Sequence, residues 1–425
     1  MQTITRRPFG QNYAFIVAGV IFLALLSAAG LRAAPGVMML PLQSAFGWDK
    51  ATISAGAAVG IFLYGLAGPF AAALMQTFGV RRTLVCALIL MSASTGLSAL
   101  MSEPWQFIAT WGVLSGIGSG AVALVMGATI VNRWFVTNRG LMMGLFSAST
   151  ATGTLIFLPG LAALSEWGGW QAIVLTISIF MAVLIPVVLL LVPETPRSIG
   201  VMPYGATGAE TPAALHLGNP FRNAINALVE AARTRTFWYL FATFFICGFT
   251  TNGLVGTHMI SFCADMGIPE VQAASMLAMM GLFDLIGTTA SGWLTDRVDP
   301  RKLLFAYYAL RGLSLFYLPF SDFSFYSLSF FVVFYGLDWI ATVPPTVRLA
   351  TEAFGDRKAP MVFGWIAAGH QLGAASAAFF AGWLRTTQGN YFDAFMIAGV
   401  TGIIAAALAL LIARPRRDAI VAGAA

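Results

Sequence analysis

From Tyr13 onward the chain alternates long apolar runs with short polar connections, and the runs define the elements. Each run is about 20 residues or longer, enough for an α-helix to cross a hydrocarbon layer of roughly 30 Å. The predicted spans are residues 13–41, 51–76, 83–101, 105–131, 140–162, 170–192, 236–263, 271–294, 303–320, 324–347, 360–384 and 392–413. Strands of a membrane barrel would instead alternate apolar and polar residues in segments of about ten. These runs are continuous and rich in Gly and Ala, which let membrane helices approach closely. The expected class is all-α membrane, with twelve transmembrane helices. Arg6 and Arg7 precede the first run as they would in a signal peptide, but the run continues to about Pro41 without a clean cleavage pattern and reads as a span.

One long connection, residues 193–235, divides the spans into six and six, giving bundles over 1–192 and 236–425. It holds Pro193, Pro196, Pro203, Pro212 and Pro220, and its end, Asn219 to Thr236, predicts an amphipathic surface helix that braces the halves. The halves also match at a constant offset of 220 residues: Leu74 maps to Leu294, Arg81 and Arg82 to Arg301 and Lys302, Gly116 to Gly336, Gly144 to Gly364, and Gly153 to Gly373. A duplicated six-helix unit related about an axis along the membrane normal is a transporter plan, with the substrate site near the midplane between the pseudo-symmetric halves.

Composition narrows this further. With 58% hydrophobic and 9% charged residues, nothing is left over for a soluble domain. The net charge of +6 reflects sidedness rather than a nucleic-acid partner: nineteen of the 23 basic residues fall on one side, only Lys50 and Arg385 on the other, and Arg32 and Arg311 lie within spans. Positive-inside sorting then puts both termini in the cytoplasm of a multi-pass protein, expected in a bacterial inner membrane. Cys86, Cys247 and Cys263 lack metal-ligand spacing and read as small apolar residues. There is no phosphate-binding Gly-Lys-Ser loop and no His-Glu-x-x-His pair, so neither an enzyme, a cofactor, a metal nor nucleotide-driven transport is expected.

The loop after the eighth span carries Gly292, Leu294, Asp296, Arg297, Arg301 and Lys302, which resembles the Gly-x-Leu-x-Asp-Arg gating motif of the major facilitator superfamily. In the first-half copy Gln76 stands where that motif has Asp. Phe46-Gly47-Trp48, Trp134-Phe135 with Arg139-Gly140, and Phe363-Gly364 with His370-Gln371-Leu372-Gly373 resemble the monocarboxylate transporter branch and its bacterial oxalate/formate-type relatives. The resemblance spans the chain. It implies a monomeric carrier of small carboxylates, by proton symport or exchange, with a cation on the first span and a carboxylate plus Arg on the eighth. Arg32 and Asp284 fit the first two roles, whereas the expected Arg is Thr288 here. It also implies that spans one, four, seven and ten line the cavity and that two, five, eight and eleven flank it.

Ionisable groups inside a membrane cost roughly 2.5–3.5 kcal/mol each, so Arg32, Asp284, Arg311 and Asp338 need a reason to be there. Arg311, on the ninth span, is expected to form a structural ion pair with Asp284 or Asp338. Arg32 offers a planar, permanently charged fork to a carboxylate, or else it pairs with an acid. It precedes Pro35-Gly36, where the helix is expected to break. Asp284 and Asp338 are the candidate proton carriers, because an anion occupying Arg32 would favour protonation of a nearby acid. His370 either holds a carboxylate oxygen or bonds between helices. Tyr64, Asn252, Gln371 and Thr150 complete the candidate substrate set. The resulting expectation is a carrier of a small organic anion and protons working by alternating access, and the alternative is proton-driven efflux of drugs or amphiphiles.

Overall fold

The structure, a computed structural model, describes residues 10–206 and 220–413; the side chains of some helical residues, Gln76, Arg139 and Thr150 among them, lie outside the description. Among the described residues, ten helical stretches are long and apolar enough to cross a membrane. Helices over 139–167 and 356–388 complete a twelve-span arrangement. The first of these parts from the sixth span at Gly168 and Gly169, and the second from the tenth at Gly355, where the backbone leaves helical geometry.

The first span, Tyr13–Phe46, runs past Pro41 and stops at Gly47, whose φ of 70° lets its N–H close on the Gln43 carbonyl. Only glycine adopts that left-handed cap without steric cost, so the helix ends there rather than at the proline. Contrary to expectation, the helix is also unbroken at Pro35-Gly36. A proline removes one ladder bond, and packing of the buried flanks holds the rest. Gly36 serves a close crossing instead: a Cβ there would lie 3.1 Å from the Gly256 carbonyl oxygen of the seventh span.

Departures from α geometry lie elsewhere. The fourth span has a π-helical stretch over Ile108–Leu114 and the seventh another over Phe249–Val255, and the tenth breaks between Asp338 and Val343. Such bulges release or crowd backbone groups and recur at functional positions.

The sequence register is also a register of contacts. A Cβ on Gly116 would meet Gly60 and Leu63, and one on Gly336 would meet Met280 and Phe283. Each pair of neighbours is separated by the same 220 positions as the glycines. The fourth span therefore packs on the second as the tenth packs on the eighth, through small residues that let the backbones touch.

The linker helix covers Pro220–Ala231, shorter than predicted, because Thr234 accepts from the Phe237 N–H and starts the seventh span at Arg235. It lies against both halves. Phe221 stacks on Phe70 of the second span at 5.6 Å, and Trp365 of the eleventh donates to the Ala224 carbonyl at 2.8 Å. Lys358 pairs with Glu230 and holds that carboxyl below its usual range, but both groups are exposed and such pairs stabilise little.

Candidate functional site

Arg32 is half-buried on the first span, with its guanidinium carbon 4.6 Å from the centre of the Tyr64 ring on the second. Its Nη1 is buried without a hydrogen-bond partner, and Arg32 makes no ion pair among the described residues. A buried donor left unmet costs about 1–3 kcal/mol, so the position favours an anion. Tyr64 presents its ring face to Arg32, a contact that favours the cation.

The intramembrane acids are engaged elsewhere. Arg311 is fully buried and donates from Nε to Asp338 Oδ2 at 2.5 Å and from Nη2 to the Asp338 carbonyl at 2.5 Å. Its Nη1 reaches Cys247 Sγ at 2.9 Å. Of the two acids expected as its partner, the structure thus brings Asp338 to it. Asp338 Oδ1 is buried and unpartnered. Asp284 accepts at Oδ1 from Thr288 Oγ1 and from the Ile340 N–H, both at 2.8 Å. Thr288, where the resemblance puts an arginine, thus gives Asp284 a hydrogen bond but no charge. Ser291 donates to the Ala341 carbonyl at 2.5 Å, so the eighth span and Arg311 together clasp the broken turn of the tenth.

His370 packs its ring 5.0 Å from that of Phe244 on the seventh span. Its backbone carbonyl crowds Gly248, where a Cβ would sit 1.8 Å away. Gln371 lies against Gly65, next to Tyr64, which joins the second and eleventh spans. Asn252 sits half-buried inside the π-helical stretch, and its carbonyl accepts from Thr257 Oγ1 at 2.9 Å. Thr150 is helical, with its side chain outside the description.

In the second-half motif, Gly292 has open space around it, and Arg297 stacks over Trp293 at 4.1 Å. Arg301 is held by Asp299, Nε to Oδ1 at 3.1 Å, and Asp296 is exposed with no ion pair among the described residues. The sequence reading missed Asp299 because the motif directs attention to Asp296. It also missed Glu194, which accepts from the Val80 and Arg81 N–H groups at 2.8 and 3.1 Å at the start of the third span. A carboxylate there meets unpaired amides and the positive end of the helix dipole, in the half whose motif acid is Gln76. Asp265 is a further omission: it joins Lys50 and Arg385, and the available signal was that all three end spans on the arginine-poor side.

The family model of the Major Facilitator Superfamily matches residues 20–346 and 264–424, across both halves. The chain belongs to that superfamily. It is a multi-pass membrane transporter and not an enzyme. Among curated relatives, this facilitator is 26% identical over 386 residues to monocarboxylate transporter 13 of Bos taurus, covering 90% of this chain and 85% of that one. It is 26% identical over 325 residues to the uncharacterized MFS-type transporter YcxA of Bacillus subtilis (strain 168), 74% of each chain. A bacterial homolog of the human lysosomal transporter Spinster, in an inward-facing and unoccupied conformation, shares the facilitator fold with a TM-score of 0.75 at 16% identity, over 94% of this chain and 97% of that one. The D-xylose-proton symporter does so at 0.71 and 14%, over 95% and 98%.

Proposed function

We propose that the protein carries a small monocarboxylate-like organic anion by alternating access, in symport with a proton or in exchange for another anion. One observation carries the reading: Arg32 keeps a buried, unpartnered guanidinium nitrogen and stands apart from both intramembrane acids. A cation exporter needs an available acid in its cavity. Here Asp338 is paired with Arg311, and Asp284, bonded only by the neutral Thr288 hydroxyl and the Ile340 amide, is the one acid left to either reading, so it is Arg32 that favours the anion. The relatives named monocarboxylate transporters support the same class.

In this reading Arg32 holds the carboxylate, with Tyr64, Asn252, His370, Gln371 and Thr150 around it. Asp284 carries the proton, with Asp338 as the second candidate. The halves rock as six-helix bundles, 1–192 and 236–425, linked by 193–235. The protein acts as a monomer in a bacterial inner membrane, arginine-rich side and both termini cytoplasmic.

The test is thermal stabilisation of the purified protein against panels of carboxylates and of organic cations, because a ligand of the folded state raises the melting temperature. Monocarboxylates are expected to stabilise wild type and not Arg32→Gln. Stabilisation by cations alone would assign the protein to amphiphile efflux.

A further inference from the structure

We infer that Lys50 and Asp265 are the gate residues on the arginine-poor side, forming the bond between halves that must break before the carrier opens to that side. Lys50 begins the second span and belongs to the first half; its Nζ lies 3.1 Å from Oδ1 of Asp265, which ends the seventh span in the second half. Arg385, at the end of the eleventh span, grips the same carboxylate from Nε at 2.6 Å and Nη2 at 3.1 Å. Asp265 and Arg385 lie in one half, so their bond survives a rigid-body rocking of the halves. The bond to Lys50 does not.

The surroundings are those of a closed gate. The Lys50 side chain is 5% exposed, and its ammonium lies 5.4 Å from the centre of the Tyr391 ring. Alongside it, the Ala51 N–H donates across the halves to Thr386 Oγ1 at 3.2 Å. One turn on, Gly382 packs so tightly on Ser54 that a Cβ would fall 2.3 Å from its hydroxyl. Deeper still, Tyr391 touches Met39 Sδ at 3.9 Å, and Gly36 meets Gly256. Apart from Lys50–Asp265, these cross-half contacts are small and uncharged, shaped to exclude water.

A gate needs a bond that forms and breaks once per cycle. Lys50 and Asp265 lie near the ends of their spans and are largely covered in the closed state, 5% and 20% exposed, so opening trades their bond for hydration of both charges. Arg311–Asp338 is the contrasting case, fully buried and confined to one half, a pair that the cycle leaves closed. A population shift follows: removing the bond favours the state open to the arginine-poor side.

The test uses the full chain with Cys86→Ser, Cys247→Ser and Cys263→Ala, and Met39→Cys as a reporter, purified in detergent and reacted with a bulky maleimide. Lys50→Met and Asp265→Asn are each expected to raise the labelling rate about tenfold. Asp265→Glu is expected to stay within about twofold of the parent, since it restores the acceptor. Lys50→Met leaves the Asp265–Arg385 pair intact, so the second half keeps its own support. The rate in unfolding detergent gives the ceiling, and gated variants are expected to stay below it and remain monodisperse. Unchanged labelling in Lys50→Met overturns the inference, including when Asp265→Asn alone reaches the ceiling, which would assign Asp265 to holding its own half together. The readout needs no cargo, so it stands or falls independently of the anion reading.

Discussion

Arg32 sits over the ring of Tyr64 at 4.6 Å, and one of its terminal nitrogens is buried with no hydrogen-bond partner. The ring lies against the guanidinium, and the unpartnered nitrogen is left to a ligand. A planar cation held in this way recognises a carboxylate through two parallel bonds, which a lysine ammonium does not reproduce.

Arg32→Lys is therefore expected to weaken anion binding about 10- to 100-fold while keeping the charge. Tyr64→Phe retains the ring face and is expected to bind nearly as wild type, whereas Tyr64→Leu loses about tenfold. Equilibrium binding of a labelled carboxylate measures all three, and an Arg32→Lys protein of wild-type affinity would rule out two-bond recognition.

Asp338→Ala is expected to destabilise the fold by about 3–5 kcal/mol, because it strands the Arg311 charge in a dry interior. The double replacement Arg311→Met with Asp338→Leu is expected to recover much of that loss. Thermal melts of the single and double variants decide; equal losses would mean that the pair does more than neutralise itself.

Asp284→Asn keeps a carbonyl oxygen for Thr288 Oγ1 and the Ile340 N–H, so the local structure is expected to hold while the titratable proton is gone. Substrate exchange in proteoliposomes should persist, and accumulation driven by a pH gradient should fall by about tenfold or more. Retained accumulation would move the proton to Asp338.

Gly116→Ala and Gly336→Ala place a methyl 2.8 Å from the Gly60 carbonyl oxygen and 2.9 Å from that of Met280. Overpacking of this kind costs about 1–3 kcal/mol, and the two losses are expected to be similar because the crossings are copies. Gly160→Ala, with no neighbour within 4 Å, is the neutral control. Melting temperatures measure the set.

Hydropathy was enough to read the helical class, and residues matched at an offset of 220 gave the internal register, since spans and small-residue crossings are local or repeated signals. The register survived into contacts at Gly116 and Gly336. What the sequence hid were choices between partners distant in the chain. Arg311 had two acids at similar depth, and only the broken turn of the tenth span put Asp338 in reach. Asp299 and Glu194 were obscured for a related reason, because a motif names the expected acid and says nothing of a neighbour that takes its place. The helix break predicted at Pro35-Gly36 failed because a glycine in a membrane span serves a helix crossing as readily as a kink.

Gly36 touches Gly256, and the two are separated by the same 220 positions that relate the halves. A close approach between a residue and its own duplicate is the kind of contact found near the two-fold of an isologous dimer interface. The first and seventh spans of this carrier thus cross at equivalent positions of the two halves. A methyl at Gly36 would press on the Gly256 carbonyl at 3.1 Å, whereas one at Gly256 would meet only Thr251 and Trp339 at 3.6–3.9 Å, so Gly36 is the less free of the two to vary.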